Sequence, residues 1–290
     1  MEKKVSLRRQ HFGARFLAWF FGDVMHYREN VVYTNLARCF PEKSYGEITE
    51  IRDRFYSHFG KLFTEMLWFG RCRGEKGRRR LNRSHIVEIT NPEVLNSMFA
   101  AAPQMMVLQT HAGNWELISG FRQYSYTEPV EILPEQIGVA YAPLYSKFWN
   151  RFMAWNRVAP ICDTAFDGYV DTAHILRYVL ENKDKKKAYV FITDQSPYRH
   201  KMPPGELTFM GRNTKTMTAA AGVAVKMNMS VVYLRYRERE EGGYAMTFVP
   251  IAEHAGEMSP MDIMTKYYQL LEEDLREQPW NYLWTHKRWK

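Results

Sequence analysis

The chain has 290 residues, 46% of them hydrophobic and 25% charged, enough to bury about three-quarters of its unfolded surface, so disorder and low complexity are excluded. Forty Lys and Arg against thirty-two Asp and Glu leave a net charge of +8, which points to an anionic partner: nucleic acid, a membrane surface or an acidic carrier protein. Cys39, Cys72 and Cys162 are far apart and form no C-x-x-C pair, so they support neither a disulfide framework nor a zinc site.

No stretch reaches the ~18–20 uninterrupted apolar residues of a membrane-spanning helix. The first element, Phe12 to Met25, is an apolar and aromatic run broken by Arg15 and Asp23 and preceded by Lys3, Lys4, Arg8 and Arg9. The breaks and the lack of a small-residue cleavage site argue against a signal peptide. Two readings stay open: an amphipathic segment in a lipid interface, or a helix packed on the core. Ser44-x-x-Glu47 is a capping box, and Ile48, Ile51, Phe55, Phe59, Leu62, Met66 and Phe69 follow at helical spacing. Arg71, Arg73, Lys76, Arg78, Arg79, Arg80 and Arg83 come next with only Glu75 in opposition, a solvated face or a docking surface.

From residue 105 the pattern changes. Met105 to Gln109, Val130 to Leu133, Ala188 to Thr193, Val231 to Tyr236 and Tyr244 to Ile251 read as strands, the last two joined across Gly242-Gly243 as a hairpin. Leu144 to Val158, Val170 to Glu181 and Met217 to Met227 read as helices, and a last helix opens at Ser259-Pro260 and stops at Pro279. The pattern predicts a single α/β domain over residues 1–290. Its central sheet is mostly parallel and covered by helices, with an antiparallel edge hairpin and amphipathic N-terminal helices.

The sharpest local feature is Thr110-His111-Ala112-Gly113-Asn114-Trp115-Glu116, directly after the first of these strands. A His and an acid at this spacing are weak evidence alone; the location adds specificity, because open α/β sheets bind ligands at their carboxyl edge. Ala112 and Gly113 give a tight turn, Asn114 is a suitable helix N-cap, and Glu116 in the first turn could fold back toward His111. That makes a general base and an orienting carboxylate, half of a catalytic triad. The sequence holds no G-x-S-x-G nucleophile elbow. Such a pair would therefore activate a hydroxyl on a second substrate, as in direct acyl transfer; a partly buried His beside an acid is the alternative.

His111-Ala112-Gly113-Asn114-Trp115-Glu116 resembles the H-x-G-N-W-E signature of the lipid A biosynthesis acyltransferase family, relatives of the lysophospholipid acyltransferases. Tyr33-Thr34-Asn35-Leu36 with Phe40-Pro41-Glu42 is similar to its N-L…F-P-E segment, and Tyr141-Ala142-Pro143-Leu144 with Arg157 to its Y-x-P-L…R block. Asp194-Gln195-Ser196-Pro197 is similar to its D-Q-x-P block, Phe209-Met210-Gly211 to its F-x-G block, and residues 283–290 to its W-x-H-x-R-W-K ending. Members commonly carry a longer apolar N-terminal segment, and the residue after Tyr141 is often basic where this chain has Ala142.

The resemblance implies transfer of a fatty acyl group from acyl carrier protein, or else coenzyme A, to a hydroxyl of a lipid A precursor or related acylated lipid, a step in lipopolysaccharide biosynthesis. His111 and Glu116 are the expected catalytic pair; Arg157 and Asn114 are expected at the oxyanion or substrate, and Asp194 and Gln195 in support. Asp194 could hold Arg157 or cap a helix. Neither metal nor cofactor is called for. The expected protein is a monomer, peripheral or monotopic on the cytoplasmic face of the inner membrane, with residues 1–30 at the anionic surface and 31–290 as catalytic core. Rival readings are a lipid thioesterase or esterase and a non-enzymatic basic membrane- or nucleic-acid-binding protein. No helix-turn-helix, zinc-finger or RNP signature supports nucleic acid as a partner.

Overall fold

The computed structural model describes residues 12–143, 146–161, 166–196 and 205–289. Helix α1 (12–19) runs into a π-helical turn, Phe20–Val24, and is followed by α2 (Glu29–Cys39). The expected capping box opens α3 (Tyr45–Phe69), with the Ser44 backbone N–H donating to Glu47 Oε2 at 2.8 Å. Every apolar residue of the stripe from Ile48 to Phe69 named above is buried. The basic run is carried by α4 (Gly74–Ser84), and β1 (Val87–Ile89), α5 (Pro92–Ala101) and β2 (Gln104–Gln109) come next. Trp115–Gln123 is a 3₁₀-helix. The second half contains β3 (Ile137–Tyr141), α6 (Lys147–Arg157), β4 (Tyr169–Asp171), α7 (Ile175–Glu181) and β5 (Lys187–Ile192). It closes with β6 (Gly205–Phe209), β7 (Arg212–Thr216), α8 (Ala219–Lys226), β8 (Ser230–Glu238), β9 (Tyr244–Ala252) and α9 (Pro260–Glu277).

The main sheet has seven strands in the order β1-β9-β8-β2-β5-β3-β4. The five strands from β8 to β4 are mutually parallel; β9 is antiparallel to β8 across the expected Gly242-Gly243 turn, and β1 is parallel to β9. The predicted α/β architecture is therefore the observed one. Successive residues of β2 point into two different cores. Met106 and Leu108 join the side covered by α2, α3, α8 and α9, while Met105 and Val107 join the side covered by α5 and the 3₁₀-helix. A strand buried on both faces needs no polar alternation, which is why its sequence is a nearly continuous apolar run.

Three expectations are corrected. Val130 to Leu133 is not a strand: it lies between Pro129 and Pro134, which cannot donate to a ladder, and the strand begins at Ile137. Val170 opens no helix, because Tyr169–Asp171 pairs with β3; the Asp171 carboxylate then accepts from the Ala173 N–H at 2.8 Å and turns the chain before α7. The third is the reading, from their helical spacing, that Phe148, Phe152 and Trp155 set one face of the 144–158 helix against the core: in α6 Phe148 and Trp155 are 71% and 50% exposed. The separate hairpin β6–β7 turns at Met210-Gly211, both at positive φ (52° and 69°), so the Phe209-Met210-Gly211 block serves a two-residue turn.

Candidate active site at the carboxyl edge of the sheet

The chain leaves β5 on one side of β2 and returns as β8 on the other, so the strand order reverses at β2, the location where such sheets bind ligands. In the parallel register of β2 and β5, Gln109 lies opposite Ile192. Two residues beyond that pair, the same register brings His111 beside Asp194. Asp194 Oδ1 is 2.8 Å from His111 Nδ1, and Oδ2 accepts from the His111 backbone N–H at 3.1 Å. The carboxylate is buried, and burial by itself would raise its pKa. The charge of His111, hydrogen bonds from its ring and backbone, and the Tyr282 hydroxyl outweigh that and hold it below the usual carboxylate range.

With Nδ1 on Asp194, the outer nitrogen Nε2 is left as the acceptor, and Gln195 Nε2 lies 3.1 Å from it. The Trp115 ring meets the imidazole edge-on at a centroid distance of 5.0 Å.

Glu116 does not reach His111 as expected. It sits in the first turn of the 3₁₀-helix, where Arg157 grips it with both arms, Nε at 2.7 Å and Nη2 at 2.9 Å. Burial opposes the charged guanidinium, but the Glu116 carboxylate outweighs it and holds Arg157 more firmly protonated than usual. The Arg157 guanidinium also lies 5.6 Å from the Tyr141 ring centroid, at the end of β3. The carboxyl edge thus holds two pairs, the hydrogen-bonded His111 and Asp194 and the ion pair of Arg157 with Glu116. Asp194 neither holds Arg157 nor caps a helix.

Asn114 makes no side-chain cap; its amide donates instead to buried Glu65 Oε2 at 2.9 Å, which also accepts from the Tyr244 hydroxyl at 2.8 Å. Burial raises the Glu65 carboxyl, against the pull of these two hydrogen bonds. Glu65 interrupts the apolar stripe between Leu62 and Met66, and an acid on the buried face of a helix was a signal available in the sequence. Gly113 is required twice over: its φ is +61°, and a Cβ would meet Tyr236 Cδ1 at 1.9 Å.

The C-terminal tail holds this loop from the other side. Ala112 bridges Tyr282, the Leu283 N–H donates to the His111 carbonyl at 3.1 Å, and the Gly113 N–H donates to Asn281 Oδ1 at 2.9 Å. Asn35 in turn donates to the carbonyls of Trp284 (2.8 Å) and His286 (2.9 Å), so the two ends of the sequence meet behind His111. The roles of Asn281 and Tyr282 had no local signal.

On the sheet face under the 3₁₀-helix is an apolar pocket, lined among others by Val107, Ile118, Ala188, Val190 and Phe248. Ser119, also in its wall, donates to the Arg157 carbonyl and so ties the pocket to the ion-pair edge. Among the described residues no three His, Cys, Asp or Glu side chains gather into a metal site. Cys39 and Cys72 are buried thiols, pushed up by burial to about 12 and about 11; Cys162, Leu144 and Pro197 lie outside the described residues. No helix among the described residues is long and apolar enough to cross a membrane.

Residues 7–290 match the family model of the bacterial lipid A biosynthesis acyltransferases. No curated protein sequence matches the chain.

Proposed function

Because the chain belongs to the bacterial lipid A biosynthesis acyltransferase family, it is an acyltransferase, and we propose that it moves a fatty acyl chain from acyl carrier protein, or from coenzyme A, to a hydroxyl of a lipid A precursor or related acylated lipid. His111 Nε2 takes the proton of the acceptor hydroxyl, and the oxygen attacks the thioester carbonyl carbon. Asp194 holds the Nδ1–H tautomer and stabilises the imidazolium that forms. As the tetrahedral intermediate collapses, the C–S bond breaks and the imidazolium returns the proton to the leaving thiolate. The oxyanion is met by backbone N–H groups near Asn114 or by Arg157, which Glu116 keeps in place. The observation that carries this reading is the buried Asp194 bonded to His111 at a strand end, with an outward Nε2 and, among the described residues, no serine or cysteine nucleophile bonded to it.

We propose one catalytic unit over 31–290, with residues 1–30 as a membrane-interface segment at the cytoplasmic face of the inner membrane. The test is incubation of the purified chain with acyl carrier protein donors and an acylated lipid A precursor, followed by mass spectrometry. A product heavier by one acyl group supports the reading. Free fatty acid without an acylated lipid would instead identify a thioesterase.

The apolar pocket is the site proposed for the donor's hydrocarbon chain. Ala188 is the second residue of β5, six residues before Asp194, so it lies roughly 20 Å from the reacting edge at ~3.3 Å per residue and forms part of the deep wall. Ala188→Leu is expected to shift preference toward donors shorter by two carbons by roughly 10-fold, since each buried methylene is worth ~0.8 kcal/mol. Competition assays with mixed chain lengths measure the ratio, and an unchanged ratio would remove the pocket from this role.

Arg157→Lys is expected to lose roughly 10-fold or more in kcat/KM with little change in Tm, because an ammonium cannot reproduce the two-armed contact. A change in KM for the acceptor alone assigns Arg157 to a lipid phosphate. A change in kcat assigns it to the oxyanion.

A further inference from the structure

Four aromatic residues of α6 form a ladder along one helix: Phe148, Trp149, Phe152 and Trp155, with successive ring centroids 5.4, 5.7 and 6.5 Å apart. A soluble helix normally turns such a face inward. Here Phe148, Trp149 and Trp155 are 71%, 49% and 50% exposed, and the only buried residue of the helix is the polar Asn156, whose amide donates to the Met66 carbonyl of α3 at 2.8 Å. The helix is thus docked through a polar anchor and holds Phe148, Trp149 and Trp155 toward solvent.

We propose that α6 is a membrane-docking helix, which inserts Phe148, Trp149 and Trp155 into the interface of an anionic bilayer next to α1. The charge fits that occupant: from Ile137 to Cys162 the sequence has no Asp or Glu, while exposed Lys147 and Arg151 flank the aromatics. Tryptophan at the headgroup level with cations beside it is the composition of an interfacial helix. An acidic carrier protein would use the cations and leave the aromatic rings in water.

The surface is continuous with α1 through α3. Gly60 of α3 has backbone of Ala14 and Ala18 against it, and Thr64 lies against Gly13. Gly70 lies against Asn156 and Trp155. Gly60, Thr64, Leu67 and Gly70 are spaced by four, three and three residues, one stripe about 15 Å long at 1.5 Å per residue. Exposed Leu67 stands between the two docked helices, and α1 presents exposed Phe12, Phe16 and Trp19 with Arg15. At its other end α6 delivers Arg157 to Glu116, whose neighbour Trp115 touches His111. A lipid leaving the bilayer at α6 therefore arrives at the carboxyl edge of the sheet. The proposal concerns attachment and stands whichever lipid is acylated.

Flotation of the full chain with phosphatidylcholine vesicles, with and without phosphatidylglycerol, tests it. The wild-type chain is expected to bind the phosphatidylglycerol vesicles, with F148S/W149S lowering the partition coefficient roughly 10-fold at unchanged Tm. K147E/R151E should weaken binding to those vesicles alone. A second readout needs no polar variant: lipids brominated on their acyl chains should quench tryptophan emission, and W149F/W155F should remove part of that quenching. Wild-type partition of F148S/W149S with loss only in F16S/W19S would overturn the proposal. So would full vesicle binding with lost capture of acyl carrier protein, which would make α6 a protein-docking surface.

Discussion

His111→Ala is expected to lower acyl transfer by roughly 10²–10⁴-fold in kcat, the usual worth of a general base. The side chain is mostly buried, and its Nδ1 is committed to Asp194, so Nε2 is the nitrogen available to an acceptor hydroxyl. Removing the ring also takes the main partner from a buried carboxylate, which costs stability of its own. His111→Asn separates the two effects, because its amide nitrogen can occupy the place of Nδ1 and bond Asp194 while offering no base. Both variants should lose transfer, and His111→Asn should keep a Tm close to that of the wild type. Near-normal transfer by folded His111→Asn would remove His111 from the chemistry.

Asp194→Asn is expected to cost nearly as much, roughly 10²–10⁴-fold, and to act on kcat more than on KM. An amide carries no charge to stabilise the imidazolium, and it can present its NH₂ to Nδ1 and enforce the wrong tautomer. Glu116→Gln should cost less and resemble Arg157→Lys, because Glu116 is bonded to Arg157. A mild Asp194→Asn with a severe Glu116→Gln would reverse the two roles. The same pair makes a stability prediction. The Asp194 carboxyl is held below its ordinary value in the folded chain, so its contribution is fully present above the unfolded pKa of ~3.9 and is lost as pH falls through and below that value. Wild-type stability should therefore fall as pH drops below about 4, read as Tm against pH. Asp194→Asn should flatten the loss in stability below about pH 4.

Much of the fold followed from local pattern. The apolar stripe of α3 and its capping box, the run that became β2, the Gly242-Gly243 hairpin and the Ser259-Pro260 start of α9 each reflect a rule acting over a few residues: helical periodicity, double-sided burial, positive φ, and capping. Short strands such as Tyr169–Asp171 and Val87–Ile89 escaped because three residues carry no period, and they exist only through a neighbouring strand. The aromatics of α6 have the spacing of a core-facing helix, and only the packing shows that they face outward.

The candidate site divides in the same way. His111 at a strand end, Gly113 in the turn and Arg157 at a helix end could be read from the sequence, because each is fixed by its own segment. Which carboxylate meets which base could not. Glu116 is five residues from His111 and Asp194 is eighty-three away, yet strand register brings the distant one to Nδ1 and leaves the near one for Arg157. The clasp of Asn35, Asn281 and Tyr282 behind the loop likewise joins segments about 170 to 250 residues apart. Sequence alone determined the family, the α/β class and the place of His111 at a strand end. Tertiary structure decided the partner of His111, the apolar pocket under the 3₁₀-helix and the outward face of α6, because parallel pairing and side-chain packing are contacts between segments and leave no periodic trace within either one.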